Sequence, residues 1–473
     1  MSRIDTDIAV IGGGSGGLSV AAGAAQMGAR VVLIEKHKMG GDCLNTGCVP
    51  SKALIAAGEA AQTVRESGKV GVNGHEPYID FARVKGHVHG TIARIAPHDS
   101  VERFTGLGVN VIKAAAHFVS PTLLQAGEHQ IEARRFVIAT GSSAFVPPIA
   151  GIGDVPILTN ETIFELGEAP PRLIVIGGGP IGLELAQAHR RLGCNVVVLE
   201  AATILPKDDP EAVAVVREKL LSEGVEILEG AKVTSAAKEG NGVGVSIEIA
   251  GGMRTIRGTH LLVAAGRRAN VGSLGLEAAG IEHTRAGINV DHRLRTTNKR
   301  VFAIGDVVGG YQFTHMAAYH AGIVIRNAVF NLPAKVSYDA VPWVTYTAPE
   351  LAHVGLSESA AKARDASASA LKWPFAENDR AQAERATEGF IKAVVARNGT
   401  IIGATIVGKS AGELILPWVL AVKKKLTVGD MASIIAPYPT LSEVSKRVAG
   451  AWYTPKLFSP RTRTIVGWMQ RFP

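Results

Sequence analysis

Residues Ile11–Glu35, IGGGSGGLSVAAGAAQMGARVVLIE, align without a gap on Ile176–Glu200, IGGGPIGLELAQAHRRLGCNVVVLE. Each copy reads as an apolar strand, a glycine turn, a helix, a second apolar strand and a closing glutamate. In each, G-x-G-x-x-G opens the helix: Gly12, Gly14 and Gly17 in the first, Gly177, Gly179 and Gly182 in the second. The glutamates, Glu35 and Glu200, follow the third glycine by 18 residues both times. A single such motif says little. Two copies, each with its strand, helix and acid at the required distance, specify two βαβ units built to hold dinucleotides. The first glycine permits the tight turn, the second lets a pyrophosphate reach the backbone at the helix N-terminus, and the third lets helix and strand pack closely. The glutamate is placed to accept hydrogen bonds from ribose hydroxyls.

Between the copies, residues 109–140 alternate apolar and polar with turn residues interspersed, as in a small β-meander, and end in FVIATGSS, a strand closed by Thr140 and Gly141. A related piece, LLVAAGRRAN, closes the second copy near Gly266, and RVFAIGDVVGG is a further strand ending at Gly305 and Asp306. Asp306 at a strand end suits a polyol or phosphate-linked ligand, or is an ordinary turn aspartate. From about Tyr338 the composition changes; GFIKAVVAR and TIIGATIVG read as strands before a helical close. The fold class expected is α/β, with two Rossmann-type dinucleotide-binding domains and a third, C-terminal α+β domain. The boundaries expected are 1–148 with 270–337 for a discontinuous first domain, 149–269 for the second, 338–450 for the third and 451–473 for a tail.

Residues 40–52 read GGDCLNTGCVPSK, directly after the first copy. Pro50 suits the first turn of a helix, which puts Cys48 at a helix N-terminus, where the dipole favours thiolate. A redox pair, half of a zinc site and two buried structural thiols are the readings open. Zinc needs two more ligands at matching spacing, and none is evident, so no metal is expected. Adjacency to a dinucleotide unit favours redox chemistry, and it assigns FAD to the first unit and the nicotinamide donor to the second. Cys194 has no partner and reads as a small core residue.

These motifs, with ATG at 139–141 and GD at 305–306, resemble the class I pyridine nucleotide-disulfide oxidoreductases, a family that contains dihydrolipoyl dehydrogenase, glutathione reductase and mercuric reductase. The resemblance runs over roughly residues 5–450. It implies an enzyme in which Cys43 is the thiol that meets substrate and Cys48 the thiol beside the flavin. It also implies Lys52 near the flavin with Glu184 as its ion-pair partner, Asp306 and Thr314 as flavin contacts, and a backbone contact from Ala116 to the adenine. Members are homodimers whose C-terminal domain completes the partner's active site, so the resemblance implies that 1–148 with 270–337 is the FAD-binding domain, 149–269 the NAD(P)-binding domain and 338–450 the dimerisation or interface domain. Glu200 favours NADH over NADPH, because a carboxylate binds a free 2′-hydroxyl and repels a 2′-phosphate, and AATILP after it carries no arginine.

One motif departs from the family. Members that handle dithiols carry H-P-T-x-x-E near the C-terminus, where this chain has Tyr438-Pro439-Thr440-Leu441-Ser442-Glu443, and no histidine follows His353. Tyrosine, with a pKa of ~10, is a poor proton shuttle at neutral pH. The acceptor expected is therefore a small soft electrophile or oxidant, such as a metal ion, hypothiocyanous acid or a quinone, in mercuric-reductase-like chemistry. Dihydrolipoyl dehydrogenase is the alternative, and a flavin–thiol redox sensor without rapid turnover the alternative of another class. Mercuric reductase itself delivers metal through a C-terminal cysteine pair, which the tail SPRTRTIVGWMQRFP lacks. In that tail Ile465, Trp468, Met469 and Phe472 fall at helical spacing among Arg461, Arg463 and Arg471. Such a stripe packs on protein or touches an anionic membrane. A net charge of +8 without aromatic–basic interleaving argues against nucleic acid. Three cysteines and no signal-peptide pattern at the start point to a reducing compartment, and the cytoplasm is expected.

Overall fold

A computed structural model of the chain describes residues 2–471, which gather into two compact units. One comprises the chain up to Thr63, Pro77–Ala201 and Ile227–Ser337; the other comprises Val64–Glu76, Ala202–Glu226 and the residues from Tyr338.

The first unit holds both copies of the repeat, each grown into a sheet. In the first sheet Ser2–Ile11 is central, pairing in parallel with Val31–Ile34 on one side and His129–Ile138 on the other. Val109–Ile112 lies beyond Val31–Ile34, and Val301–Ala303 pairs in parallel with His129–Ile138. Successive residues along a strand point to opposite faces. Here both faces are buried: Ala9, Ile11, Val32 and Ile34 enter one core, Ile8, Val10, Val31 and Leu33 the other. That explains why these strands read as unbroken apolar runs. Of the meander expected over 109–140, Ala116–Ser120, Leu123–Ala126 and His129–Ile138 are present, each antiparallel to the next, while Val109–Ile112 belongs instead to the parallel sheet.

The second sheet repeats the plan. Arg172–Ile176 lies between Asn195–Glu200 and His260–Val263, parallel to both, and Val225–Glu229 extends the Asn195–Glu200 side. A three-stranded antiparallel sheet, Lys232–Glu239, Gly242–Ile249 and Gly252–Gly258, precedes His260–Val263 as the meander precedes its counterpart. Cys194, at the foot of Asn195–Glu200, is fully buried, and burial pushes its thiol up to about 12. It is a core residue.

The second unit is a five-stranded antiparallel sheet in the order Pro342–Thr345, Glu350–Gly355, Ile401–Gly408, Phe390–Val395, Ser369–Pro374. Helices Leu416–Lys424 and Glu443–Ala451 pack on it through Trp418, whose indole N–H donates to the Ser445 hydroxyl at 3.1 Å. Helix Pro210–Ser222 belongs to this unit as well. Its cap, Asp209, accepts from the backbone of Glu211 and Ala212 and receives the buried ammonium of Lys392 at 2.8 Å. The tail forms a ten-residue helix, Pro460–Met469; Phe472 lies outside the described residues. No described helix is long and apolar enough to cross a membrane.

Candidate active site

Cys48 is the first residue of helix Cys48–Glu66, where the unsatisfied N–H groups of the first turn concentrate positive potential. Cys43 lies in the short helix Gly41–Asn45 just before it. Both carry free thiols. A second helix, Thr314–Ala328, starts beside them, and its Thr314 hydroxyl is 3.3 Å from Cys48 Sγ. The hydrogen bond from Cys43, the Thr314 hydroxyl and the Lys52 ammonium pull the Cys48 thiol down to about 6, against burial and the Asp42 carboxylate. Cys43 moves the other way, held protonated by its hydrogen bond to Cys48, by burial and by the neighbouring negative charge. The dithiol loses its first proton from Cys48.

Lys52, one helical turn on, reaches into the second nucleotide unit: its Nζ lies 2.8 Å from Glu184 Oε2. Glu184 sits on helix Pro180–Arg191 with only 7% of its side chain exposed. A carboxylate so buried is tolerated where a cation meets it.

The two glycine turns have the same internal geometry. A Cβ on Gly12 would lie 2.4 Å from the Ala139 carbonyl oxygen, and one on Gly177 would lie 2.4 Å from that of Ala264. A Cβ on Gly17 would be 1.9 Å from Gly12 O, and one on Gly182 2.0 Å from Gly177 O. The middle glycines differ: a Cβ on Gly14 would come no nearer than 3.8 Å to Gly41, and on Gly179 it would meet nothing within 4 Å. The outer glycines serve the protein's own packing, while the middle ones face open space at helix N-termini that no side chain caps. Glu35 Oε2 accepts from the Gly13 N–H at 2.6 Å, and Glu200 Oε2 from the Gly178 N–H at 2.7 Å. Each carboxylate is thereby held over its turn with lone pairs to spare. Both cradles fit a dinucleotide: an open approach, uncapped N–H donors for a pyrophosphate and an anchored acid for a ribose.

The strand-end residues join this arrangement. Thr140 and Asn270 exchange hydrogen bonds, Thr140 Oγ1 donating to the Asn270 carbonyl at 2.9 Å and Asn270 Nδ2 to the Thr140 carbonyl at 3.0 Å. Gly141 and Gly266 occupy the matching turns after the ATG and AAG strand ends, and Ala116 begins the first meander strand, buried. Asp306 Oδ2 accepts from the Ser142 hydroxyl at 2.6 Å, and burial holds its carboxyl above the ordinary range.

Sequence reasoning missed the cation that organises this corner. Arg267 donates through Nε to the Ser142 hydroxyl (2.7 Å), and its guanidinium lies 3.1 Å from Asp42 and 3.7 Å from Asp306. It ties the residue preceding Cys43 to Asp306. Its position after Gly266 was the available signal. Asp42 is held further by Asn160 Nδ2 (3.0 Å) and Thr46 Oγ1 (2.8 Å). His320 was also missed; buried and kept neutral with its pKa pushed down to about 4, it accepts the Gly305 N–H through Nδ1 at 3.2 Å.

The C-terminal motif lies in the second unit. Tyr438 is exposed and donates its hydroxyl to Asp379 Oδ2 at 2.9 Å, which holds the phenol above its usual range. Glu443, first residue of helix Glu443–Ala451, pairs instead with Arg447 at 2.8 Å. The partner of the Tyr438 hydroxyl is thus Asp379, from a different helix, and not Glu443. Among the described residues, no three His, Cys, Asp or Glu side chains converge as a metal-binding group.

Comparison with known proteins bears on this geometry. The model for the family "Pyridine nucleotide-disulphide oxidoreductase" matches residues 6–321, and the model for that family's dimerisation domain matches 341–449. A mercuric reductase of Bacillus cereus is 37% identical over 93% of the chain and 70% of its own length. A dihydrolipoyl dehydrogenase of Geobacillus stearothermophilus is also 37% identical, over 94% of the chain and 96% of its own. Among solved structures, the Cu(II) complex of the HOCl-induced flavoprotein disulfide reductase RclA from Escherichia coli superposes with a TM-score of 0.86 at 28% identity, covering 94% of this chain and 99% of that one. LpdA from Mycobacterium tuberculosis gives a TM-score of 0.86 at 29% identity, covering 96% and 100%.

Proposed function

The chain belongs to the pyridine nucleotide-disulphide oxidoreductases, enzymes that use FAD and NAD(P)H, and from that premise we propose that it uses NADH to reduce a small soft electrophile or oxidant at Cys43 and Cys48. Bound FAD supplies the two-electron relay between the nicotinamide and the cysteine pair. Gly12, Gly14, Gly17, Glu35, Lys52, Ala116, Thr140, Gly141, Asp306 and Thr314 would hold it. Gly177, Gly179, Gly182, Glu200 and Gly266 would hold the nicotinamide nucleotide, with the Glu200 carboxylate favouring NADH over NADPH. The segments 1–148 with 270–337, 149–269 and 338–450 serve as the FAD, nucleotide and dimerisation parts of a homodimer.

In the reduced pair, Cys43 is the sulfur that meets the acceptor. The hydrogen bond it donates to Cys48 gives its proton somewhere to go when it attacks. As Cys43 passes electrons on, the Cys48 sulfur closes the disulfide. Lys52, Thr314 and the helix N-terminus stabilise the Cys48 thiolate before it takes the Cys43 proton and again when that proton leaves with the reduced acceptor as the disulfide closes.

The observation that carries the acceptor class is Tyr438. Its proton is committed to Asp379, so it offers no acid near neutral pH to a departing thiolate. Acceptors that need no such proton are favoured over lipoamide. The similar proteins include a mercuric reductase and an HOCl-induced flavoprotein disulfide reductase solved as a Cu(II) complex, as well as a dihydrolipoyl dehydrogenase. Steady-state NADH oxidation against lipoamide, mercuric ion, cupric ion, hypothiocyanous acid and a benzoquinone tests the reading, with NADPH alongside and Cys43→Ser as control. Rapid, Cys43-dependent turnover with a soft electrophile is expected; fast lipoamide turnover would make the protein a dihydrolipoyl dehydrogenase instead.

A further inference from the structure

The dimerisation-domain match ends at 449; Trp452 and Tyr453 still pack on the core of that unit, but helix Pro460–Met469 beyond them contains no buried residue. Ser459 caps helix Pro460–Met469 by accepting from Thr462 N–H, and every residue from Arg463 to Arg471 is exposed. The exposure is mostly apolar: Ile465, Val466, Trp468 and Met469, preceded by Leu457 and Phe458. At 100° per residue, Trp468, Ile465, Met469 and Val466 form one stripe, with Arg463 and Gly467 opposite and Arg461 at the stripe's N-terminal end in the first turn. Ten residues make a marginal helix in water, so a helix of this composition calls for a surface to lie on.

Charge selects that surface. From Ala451 to the C-terminus the sequence carries Lys456, Arg461, Arg463 and Arg471 and no aspartate or glutamate. A second copy would bring the same positive charges, and a positively charged chain overall, against them. An anionic bilayer complements both features, taking the apolar stripe at the acyl boundary and the arginines among the headgroups, with tryptophan at the depth that suits it. We infer that the helix Pro460–Met469 seats this enzyme on anionic lipid, lying in the interface rather than crossing it.

The test uses the FAD-loaded full chain and vesicles of phosphatidylcholine, alone or with roughly a third phosphatidylglycerol. Binding is expected to be at least about 10-fold tighter on the anionic vesicles at low salt and to fall steeply as salt rises. Ile465→Asp combined with Trp468→Ser should remove it, while FAD content and turnover in solution stay unchanged. Should that variant fail to retain FAD, Arg461→Gln, Arg463→Gln and Arg471→Gln together carry the test, with selectivity for anionic vesicles lost. Equal or absent binding to both vesicle types overturns the inference. So does a sedimentation mass that drops in the apolar variant, which would mean that the helix closes on a second copy.

Discussion

Cys48 receives stabilisation of its thiolate from a neighbouring thiol, a threonine hydroxyl and a lysine, and each can be removed separately. Cys43→Ala deletes the largest contribution and should raise the Cys48 pKa from about 6 towards the ordinary thiol value of 9.0, read by thiolate absorbance in the reduced protein. The stability of the dithiol form follows by linkage. The folded pKa lies below the unfolded one, so the contribution is complete above about pH 9.0 and is lost as pH falls towards 6. Denaturation of reduced protein across that window should give a slope that Cys48→Ser flattens; an unchanged slope would place the depressed pKa elsewhere. At Tyr438, substitution by histidine returns a group that titrates near neutrality, and lipoamide turnover should rise by about 10-fold or more. No gain would mean that Tyr438 does more than fill the space of a histidine. The tyrosine was legible because a short motif surrounds it. Its acceptor Asp379 was not, because it comes from 59 residues earlier in the chain, on a helix with no signature of its own. Arg267 escaped for the same reason: its three partners Asp42, Ser142 and Asp306 are scattered over the sequence and meet only in the fold.

The glycine turns make a sharper distinction between elements than their shared motif suggests. Gly182→Ala would drive a Cβ into the Gly177 carbonyl at 2.0 Å, so strand and helix must separate. Gly179→Ala meets no protein atom within 4 Å and can clash only with what binds. The first should lower Tm by several degrees, at a cost of ~1–3 kcal/mol. The second should leave Tm intact and raise KM for NADH by about 10-fold. Calorimetry with initial-rate kinetics separates the two, and a Tm loss in Gly179→Ala would contradict the assignment. This repeat, and the meander that follows its first copy, were legible because strand and helix periods, glycine spacing and apolar runs are local properties of the chain. Lys392 was not. It sits in the middle of FIKAVV, which reads as an apolar strand, and its buried ammonium is met by three carboxylates brought from elsewhere in the chain, Asp209, Glu211 and Glu358. Lys392→Met would leave Asp209 buried without its cation, costing about 3–5 kcal/mol. Lys392→Met together with Asp209→Asn should recover much of that loss. If the single variant were as stable as wild type, the pair would not be what seats helix Pro210–Ser222.

For the molecule as a whole, the residues proposed to act fall in different units: the cysteine pair and both glycine turns in one, Tyr438 and Glu443 in the other. The match to a dimerisation domain over 341–449 raises the question of which copy supplies the second half of a site. Where each site takes Cys43 from one subunit and Tyr438 with Glu443 from its partner, defects on opposite sides of the interface complement each other. A Cys43→Ser subunit and a Tyr438→Lys, Glu443→Lys subunit are each expected to be inactive as homodimers. In the hybrid, one site inherits both defects and the other inherits neither. Random reassociation makes half the dimers hybrids, so an equal mixture should recover about a quarter of the wild-type rate. Where all the residues of a site come from a single chain, no hybrid has an intact site and the mixture stays inactive. Should the double-lysine subunit be active alone, Tyr438 and Glu443 lie outside the site, and the acceptor class must be set by residues around Cys43 itself.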